Sequence, residues 1–188
     1  MNVFDFDKTL YPRDSTSEFI ACSAVRHPRV ALELVKGLPA VIAYKRGRIS
    51  KTEMKQRLFA CFSHIPDIDG EVKRFWDKRV RRVEKWYLNM KREDDVIISA
   101  SPEFLLSEVC SRIGVSNLIA SRVDKHTGEY FGENCYGEEK PIRFRERFPD
   151  ATVDNFYSDS YSDTPMANLA KRAYKICGRK AVPWKKEK

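Results

Sequence analysis

The sequence predicts an α/β protein: a mainly parallel sheet with helices on both faces, and an all-helical segment inserted after the first strand. Three observations predict this class. Strand-like runs at residues 2–6, 96–98 and 152–157 close on Asp5, Ser99 and Ser158-Asp159, and short runs with little alternation suit strands buried on both faces. Helical patterns separate the later runs, and such alternation builds a parallel sheet. From Asp14 to about Asp94, between the first two runs, every periodic stretch is helical.

Taken in order, residues 2–6 form a strand that is apolar until Asp5. Asp14 or Ser15 caps a helix running towards Arg26, and Pro28 opens a second, since proline is tolerated in a first turn. Ser50, with Glu53 three residues later, has the form of a capping box. Asp69 or Gly70 starts a long charged helix whose Val72, Phe75, Trp76, Val80, Val83 and Tyr87 recur at helical spacing and pack a bundle. Val96-Ile97-Ile98 is a strand ending at Ser99, and Pro102 begins a helix that ends near Gly114. Leu118 to Val123 and Glu129-Tyr130-Phe131 read as a strand or hairpin joined through Thr127-Gly128. Glu138 to Phe148 is helical, Thr152 to Tyr157 is a strand, and Thr164-Pro165 start another helix. One more short strand precedes a basic tail between Ile176 and Lys188.

A chain of 188 residues suits one compact core with a modest insertion. Its five cysteines lie far apart, without a CxxC or paired histidines. That excludes a zinc site and a disulfide framework and fits a reducing compartment. The first strand leaves no room for a secretory signal, and no stretch approaches the roughly 20 apolar residues of a membrane span. The best candidate, Val30 to Ala43, is broken by Glu33, Lys36 and Pro39. A soluble cytoplasmic protein is the expectation. Of the net charge of +8, +7 lies between Arg13 and Asp95, where 19 Lys or Arg face 12 Asp or Glu. Such a field attracts a polyanion, an acidic membrane face or an anionic small substrate, or forms a solvated helical surface. No nucleic-acid module accompanies it, so nucleic acid is not an expected partner.

In open parallel sheets, ligands bind beyond the C-terminal ends of the strands. Asp5, Ser99 and Asp159 each end a strand, so three distant segments deliver polar groups to one edge. A carboxylate there can attack phosphorus, and the second, Asp7, can deliver or remove a proton. The hydroxyl of Ser99, the ammonium of Lys140 and the carboxylates of Asp159 and Asp163 complete a set suited to phosphoryl transfer.

Asp5-Phe6-Asp7-Lys8-Thr9-Leu10 resembles the first motif of the haloacid dehalogenase-like hydrolase superfamily. Ile97-Ile98-Ser99-Ala100-Ser101 resembles the second, Gly137-Glu138-Glu139-Lys140 the third, and Ser158-Asp159-Ser160-Tyr161-Ser162-Asp163 the fourth. The helical insertion resembles that of the phosphoserine phosphatase-like branch. The resemblance implies a Rossmann-like core at residues 1–13 and 93–188, a helical cap at 14–92, and a Mg2+-dependent phosphatase.

By that resemblance, Asp5 is the nucleophile that forms an aspartyl-phosphate, and Asp7 protonates the leaving oxygen and then deprotonates water. Carboxylates of Asp5 and Asp159 and the carbonyl of Asp7 hold Mg2+, with waters completing its octahedron. Ser99, with Ser101 as its rival, bonds a phosphoryl oxygen; Thr9 and Ala100 are further substrate contacts. Lys140 neutralises transition-state charge. Asp163 orients Lys140 or a metal-bound water.

Ala100-Ser101-Pro102 stands where relatives often carry two glycines, and Ser160 and Ser162 stand where Gly and Asn are frequent. No catalytic charge is lost, but phosphoserine itself becomes a doubtful substrate. Asp14 also replaces the longer Glu that contacts the amine in phosphoserine phosphatases. The first cap helices offer Phe19, Ile20, Val30, Leu32, Leu34, Val35, Leu38, Val41 and Ile42 beside Lys45-Arg46-Gly47-Arg48. This pattern resembles the cap of phosphatidylglycerophosphate phosphatases and implies a lipid phosphate, with peripheral membrane contact through the cap. Packing within a small cap explains the same residues. The expected partner is thus a phosphorylated small molecule or a lipid phosphate. Two further readings are a non-catalytic protein that binds anions or membranes, and transfer to an acceptor other than water.

Overall fold

Apolar residues of the central strands divide between two faces because successive side chains point opposite ways. A computed structural model describes residues 1–185 of the chain. Its sheet comprises β1 (Asn2–Phe4), β2 (Val96–Pro102), β3 (Asn117–Ser121), β4 (Val153–Ser158), β5 (Ala170–Cys177) and β6 (Lys180–Pro183), in the order β3-β2-β1-β4-β5-β6. Every neighbouring pair is parallel except β5 and β6. Phe4 and Ile97 enter one cluster with Phe19, Trp76 and Leu105, whereas Val3, Val96 and Ile98 enter another with Phe144, Phe156 and Met166. Covering both faces is why these strands read as unbroken apolar runs.

Between β1 and β2 run α1 (Ser15–Arg26), α2 (Pro28–Lys45), α3 (Lys51–Phe59), α4 (Ile68–Arg79) and α5 (Lys85–Met90). The helices α6 (Glu103–Ile113), α7 (Glu139–Arg147) and α8 (Thr164–Ala167) follow. Asp14 caps α1, accepting from the Ser17 amide at 2.7 Å, and both bonds of the Ser50–Glu53 capping box are present. Gly114, in the left-handed region, ends α6.

Four elements differ from the expectation. The long charged helix starts earlier, at Ile68 behind an Asp67 cap, and stops at Arg79. A turn over Val80–Arg82 then redirects the chain, and the Glu84 amide donates to the Leu10 carbonyl at 2.9 Å before α5 begins. Val80, Val83 and Tyr87 kept helical spacing across this bend, so periodicity could not reveal it. The second strand runs beyond Ser99 to Pro102, through an irregularity in its pairing with β3. The predicted hairpin reduces to β3 and one antiparallel bridge, Val123 with Tyr130. The helix at Thr164 is a single turn followed by β5, which buries only Ile176 fully and carries no clear period. Pairing with β4, including a Tyr157–Tyr174 stack at 5.0 Å, makes it a strand. The last short strand is β6; the basic tail extends beyond the described residues.

Insertion and sheet share one core. Phe6, Leu10 and Tyr11 pack in the same cluster as Phe62, Phe75 and Trp76, and Trp76 Nε1 donates to the Leu105 carbonyl at 2.7 Å. Past β3, Tyr130 stacks on Phe59 of α3 at 6.0 Å. Beside it, Gly128 has φ +78°, and a Cβ there would lie 2.3 Å from the Phe59 carbonyl carbon. Gly128→Ala is therefore expected to lower stability by roughly 2–4 kcal/mol, combining a left-handed backbone with a clash against main chain. A urea midpoint indistinguishable from that of the parent protein would contradict this contact.

Candidate active site

β1 ends at Phe4, and the Asp5 amide donates to the Tyr157 carbonyl of β4 at 2.9 Å, which holds Asp5 at the sheet edge. Lys8, at φ +59°, lets the chain turn sharply enough for the Leu10 and Tyr11 amides to reach the Phe6 carbonyl at 2.8 and 2.9 Å. That turn carries Thr9 back beneath Asp5. The Thr9 hydroxyl donates to Asp5 Oδ2 at 3.2 Å and accepts from the Asp159 amide at 3.0 Å. One hydroxyl thus ties the ends of β1 and β4 together.

Lys140, in the first turn of α7, places Nζ 2.7 Å from Asp5 Oδ1 and 2.7 Å from Asp163 Oδ2. It is only 2% exposed. Asp163 Oδ2 also accepts from the Ser158 hydroxyl at 2.6 Å. Asp7 belongs to a different network. Its Oδ1 accepts from the Ser15 amide of α1 at 2.8 Å, and its Oδ2 accepts from the Ser101 hydroxyl. Thr16 Oγ1 donates to Ser101 Oγ at 2.8 Å, and Ser99 Oγ accepts from the Ser101 amide at 3.2 Å.

Crowding of carboxylates shows in their acidities. Burial pushes Asp5 up to about 7 against the opposing pull of Lys140, with Asp163 adding to the rise. Burial, then the charge of Asp14, pushes Asp7 up to about 6. Asp159 is raised as well, chiefly by burial. Burial alone would lower Lys140, but Asp5 and Asp163 outweigh it and raise the ammonium.

Asp5, Asp7, Asp14, Ser99, Ala100, Ser101, Lys140, Asp159 and Asp163 all line one cavity of about 220 Å³. Of the residues singled out in the sequence, Thr9 alone does not. It is buried, and its hydroxyl is spent on tying Asp5 to the Asp159 amide. Among the described residues, no three His, Cys, Asp or Glu side chains form a metal cage, and no ion pair reaches Asp159. Asp5 and Asp159 bring carboxylates to this cavity, hard oxygen donors with negative charge left over. That set fits Mg2+, which keeps several waters, and does not suit a thiophilic metal.

Lys51, Lys55, Tyr136, Ser160 and Ser162 also line the cavity and were not read from the sequence as site residues. Lys55 donates to the Ala100 carbonyl at 2.8 Å and to Asn134 Oδ1 at 3.3 Å, both neutral acceptors. Burial pulls its ammonium down to about 8. Lys51 Nζ lies 3.3 Å from the centre of the Tyr136 ring. A sequence signal did exist: the two lysines are four apart on a capped helix and so share a face. Nineteen basic residues in the same segment concealed it.

The sequence model for haloacid dehalogenase-like hydrolases matches residues 3–168, which include all four motifs. Protein CicA of Caulobacter vibrioides (strain NA1000 / CB15N) is 30% identical over 191 residues, covering 92% of this chain and 84% of the relative. Among solved structures, a protein of unknown function from Bordetella pertussis Tohama I has a TM-score of 0.77 at 19% identity, over 93% of this chain and 88% of that one. A phosphoserine phosphohydrolase-like protein from Francisella tularensis subsp. tularensis SCHU S4 has a TM-score of 0.60 at 16% identity, over 95% and 88% of the two chains. With the motif residues gathered at one sheet edge, the chain belongs to the haloacid dehalogenase-like hydrolase family.

Proposed function

We propose that the protein is a Mg2+-dependent phosphomonoesterase that works through an aspartyl-phosphate on Asp5. The observation that carries this reading is the wiring of Asp5 and Asp7 into separate networks. Asp5 lies against Lys140 and Thr9, and Asp7 against Ser15 and Ser101. In the first step an Asp5 oxygen forms a bond to phosphorus while the bond to the leaving oxygen breaks, and Asp7 gives that oxygen its proton. In the second step Asp7 takes a proton from the water that attacks the phosphorus, and Asp5 departs as the free carboxylate. A carboxyl near pH 6 can serve in both directions. Ser99 faces the phosphoryl oxygens, and Lys140 offsets their charge, held in place by Asp163 and Ser158. Mg2+, held by Asp5, Asp159 and the Asp7 carbonyl, would supply a positive charge that lets an anionic nucleophile approach an anionic phosphate.

A purely binding role has no use for an ammonium buried between two carboxylates, since such burial costs stability. Lys51 and Lys55 bring positive charge to the cavity that Asp14 also lines. They favour a leaving group that carries an anion of its own, on a small or a lipid-linked phosphate. Exposed apolar residues on α2 favour the lipid-linked form. All five cysteines are unpaired, which supports a cytoplasmic location.

Asp5→Asn is expected to reduce hydrolysis of p-nitrophenyl phosphate by roughly 10⁴-fold or more with the fold intact by circular dichroism. Activity left unchanged would remove the nucleophile. Chelation with EDTA should abolish turnover and added Mg2+ should restore it; full activity after chelation would refute the metal requirement. For Lys55 the sign runs one way: the ammonium is charged below about pH 8 and neutral above it. KM for a phosphomonoester with a second anionic group should therefore climb above that pH in the parent protein. In Lys55→Met it should be raised about tenfold and lie flat across the same range. An identical pH profile in both proteins would exclude Lys55 from leaving-group recognition.

A further inference from the structure

α2 turns its larger apolar residues outward. Its buried positions are Val30, Gly37 and Ala40, and a Cβ on Gly37 would lie 3.0 Å from Leu58 Cδ2, so small residues seat the helix against α3. Leu32, Val35, Leu38 and Ile42 are 59%, 61%, 54% and 52% exposed. At 100° per residue these four fall on the side opposite the buried positions. Arg29 and Lys36 border the stripe on one flank and Lys45 on the other, with Arg46 and Arg48 in the turn that follows. The one acid of the helix, Glu33, is paired with Lys36 at 2.8 Å. Patches of exposed aliphatic side chains rimmed by charge mark an interaction surface.

We propose that this outer face of α2 docks on an anionic lipid bilayer. The aliphatic stripe enters the headgroup boundary, and Arg29, Lys45, Arg46 and Arg48 meet lipid phosphates. A helix used this way lies on the surface, and no helix among the described residues is long and apolar enough to cross a membrane. Charge favours lipid over a second copy of the chain, because a self-paired α2 would set its own cationic flanks against each other. The proposal goes beyond the phosphatase reading and does not depend on it.

Sedimentation with vesicles tests it. The protein should pellet with vesicles containing phosphatidylglycerol and bind vesicles of phosphatidylcholine alone at least about tenfold more weakly, and added salt should weaken the stronger interaction. A double Val35→Asp, Ile42→Asp variant should lose binding about tenfold or more while keeping the parent melting temperature and circular dichroism. A Lys45→Glu, Arg46→Glu variant should lose its preference for the anionic vesicles. Protein left in the supernatant with phosphatidylglycerol vesicles overturns the proposal, as does a double aspartate variant that binds as well as the parent. A dimer in solution that the aspartate pair disperses would assign the face to a second copy instead.

Discussion

The ammonium of Lys140, buried between Asp5 and Asp163, is the interaction on which the rest of the structure depends. Removing one partner from such an arrangement typically costs about 3–5 kcal/mol, because a charge is then left buried and unpaired. The geometry holds only if the end of β1, the first turn of α7 and the turn after β4 meet within hydrogen-bond distance. Ser158 and Thr9 complete the bonding of the two carboxylates. The result is a fixed electrostatic environment formed before any substrate arrives, which is how such sites lower a barrier.

Asp5 and Asp7 are two residues apart, yet they answer to different parts of the molecule. Asp5 is tied to β4 and α7. Asp7 is tied to the first turn of α1 and the end of β2, through Ser15, Thr16 and Ser101. Asp7, the proposed acid–base group, is therefore positioned by the first residues of the inserted helices, and Asp5, the proposed nucleophile, by β4 and α7. Segment and sheet also share one hydrophobic cluster, joined by Trp76 to Leu105 and by Phe59 to Tyr130. A shift of the helices would thus reach Asp7 before it reached Asp5. Lys55 adds a second tie, crossing from α3 to the carbonyl of Ala100 beside Ser99.

Much was legible in the sequence because it is local or periodic. Strands covered on both faces must be apolar throughout, so Val96-Ile97-Ile98 declared itself. Helix caps are set by a side chain three residues from the amide it serves, so Asp14 and the Ser50–Glu53 box could be read directly. The motif carboxylates, Ser99 and Lys140 followed from strand ends and a recognisable order of motifs.

Other features depended on partners distant in the chain. Nothing in Ala170–Cys177 distinguishes a strand from a helix until β4 offers it hydrogen bonds. The bend after Arg79 arises where Glu84 finds the carbonyl of Leu10, and apolar spacing continues unbroken across it. Thr9 carries a hydroxyl suited to substrate, but the left-handed turn at Lys8 turns it towards Asp5 and Asp159. Lys51 and Lys55 stood among many cations until folding set α3 over the site. The sequence by itself determined which groups could do chemistry and which segments would be buried; the tertiary structure decided which of them face one another. Charge and apolarity belong to each residue, whereas proximity belongs to pairs that only the folded chain brings together.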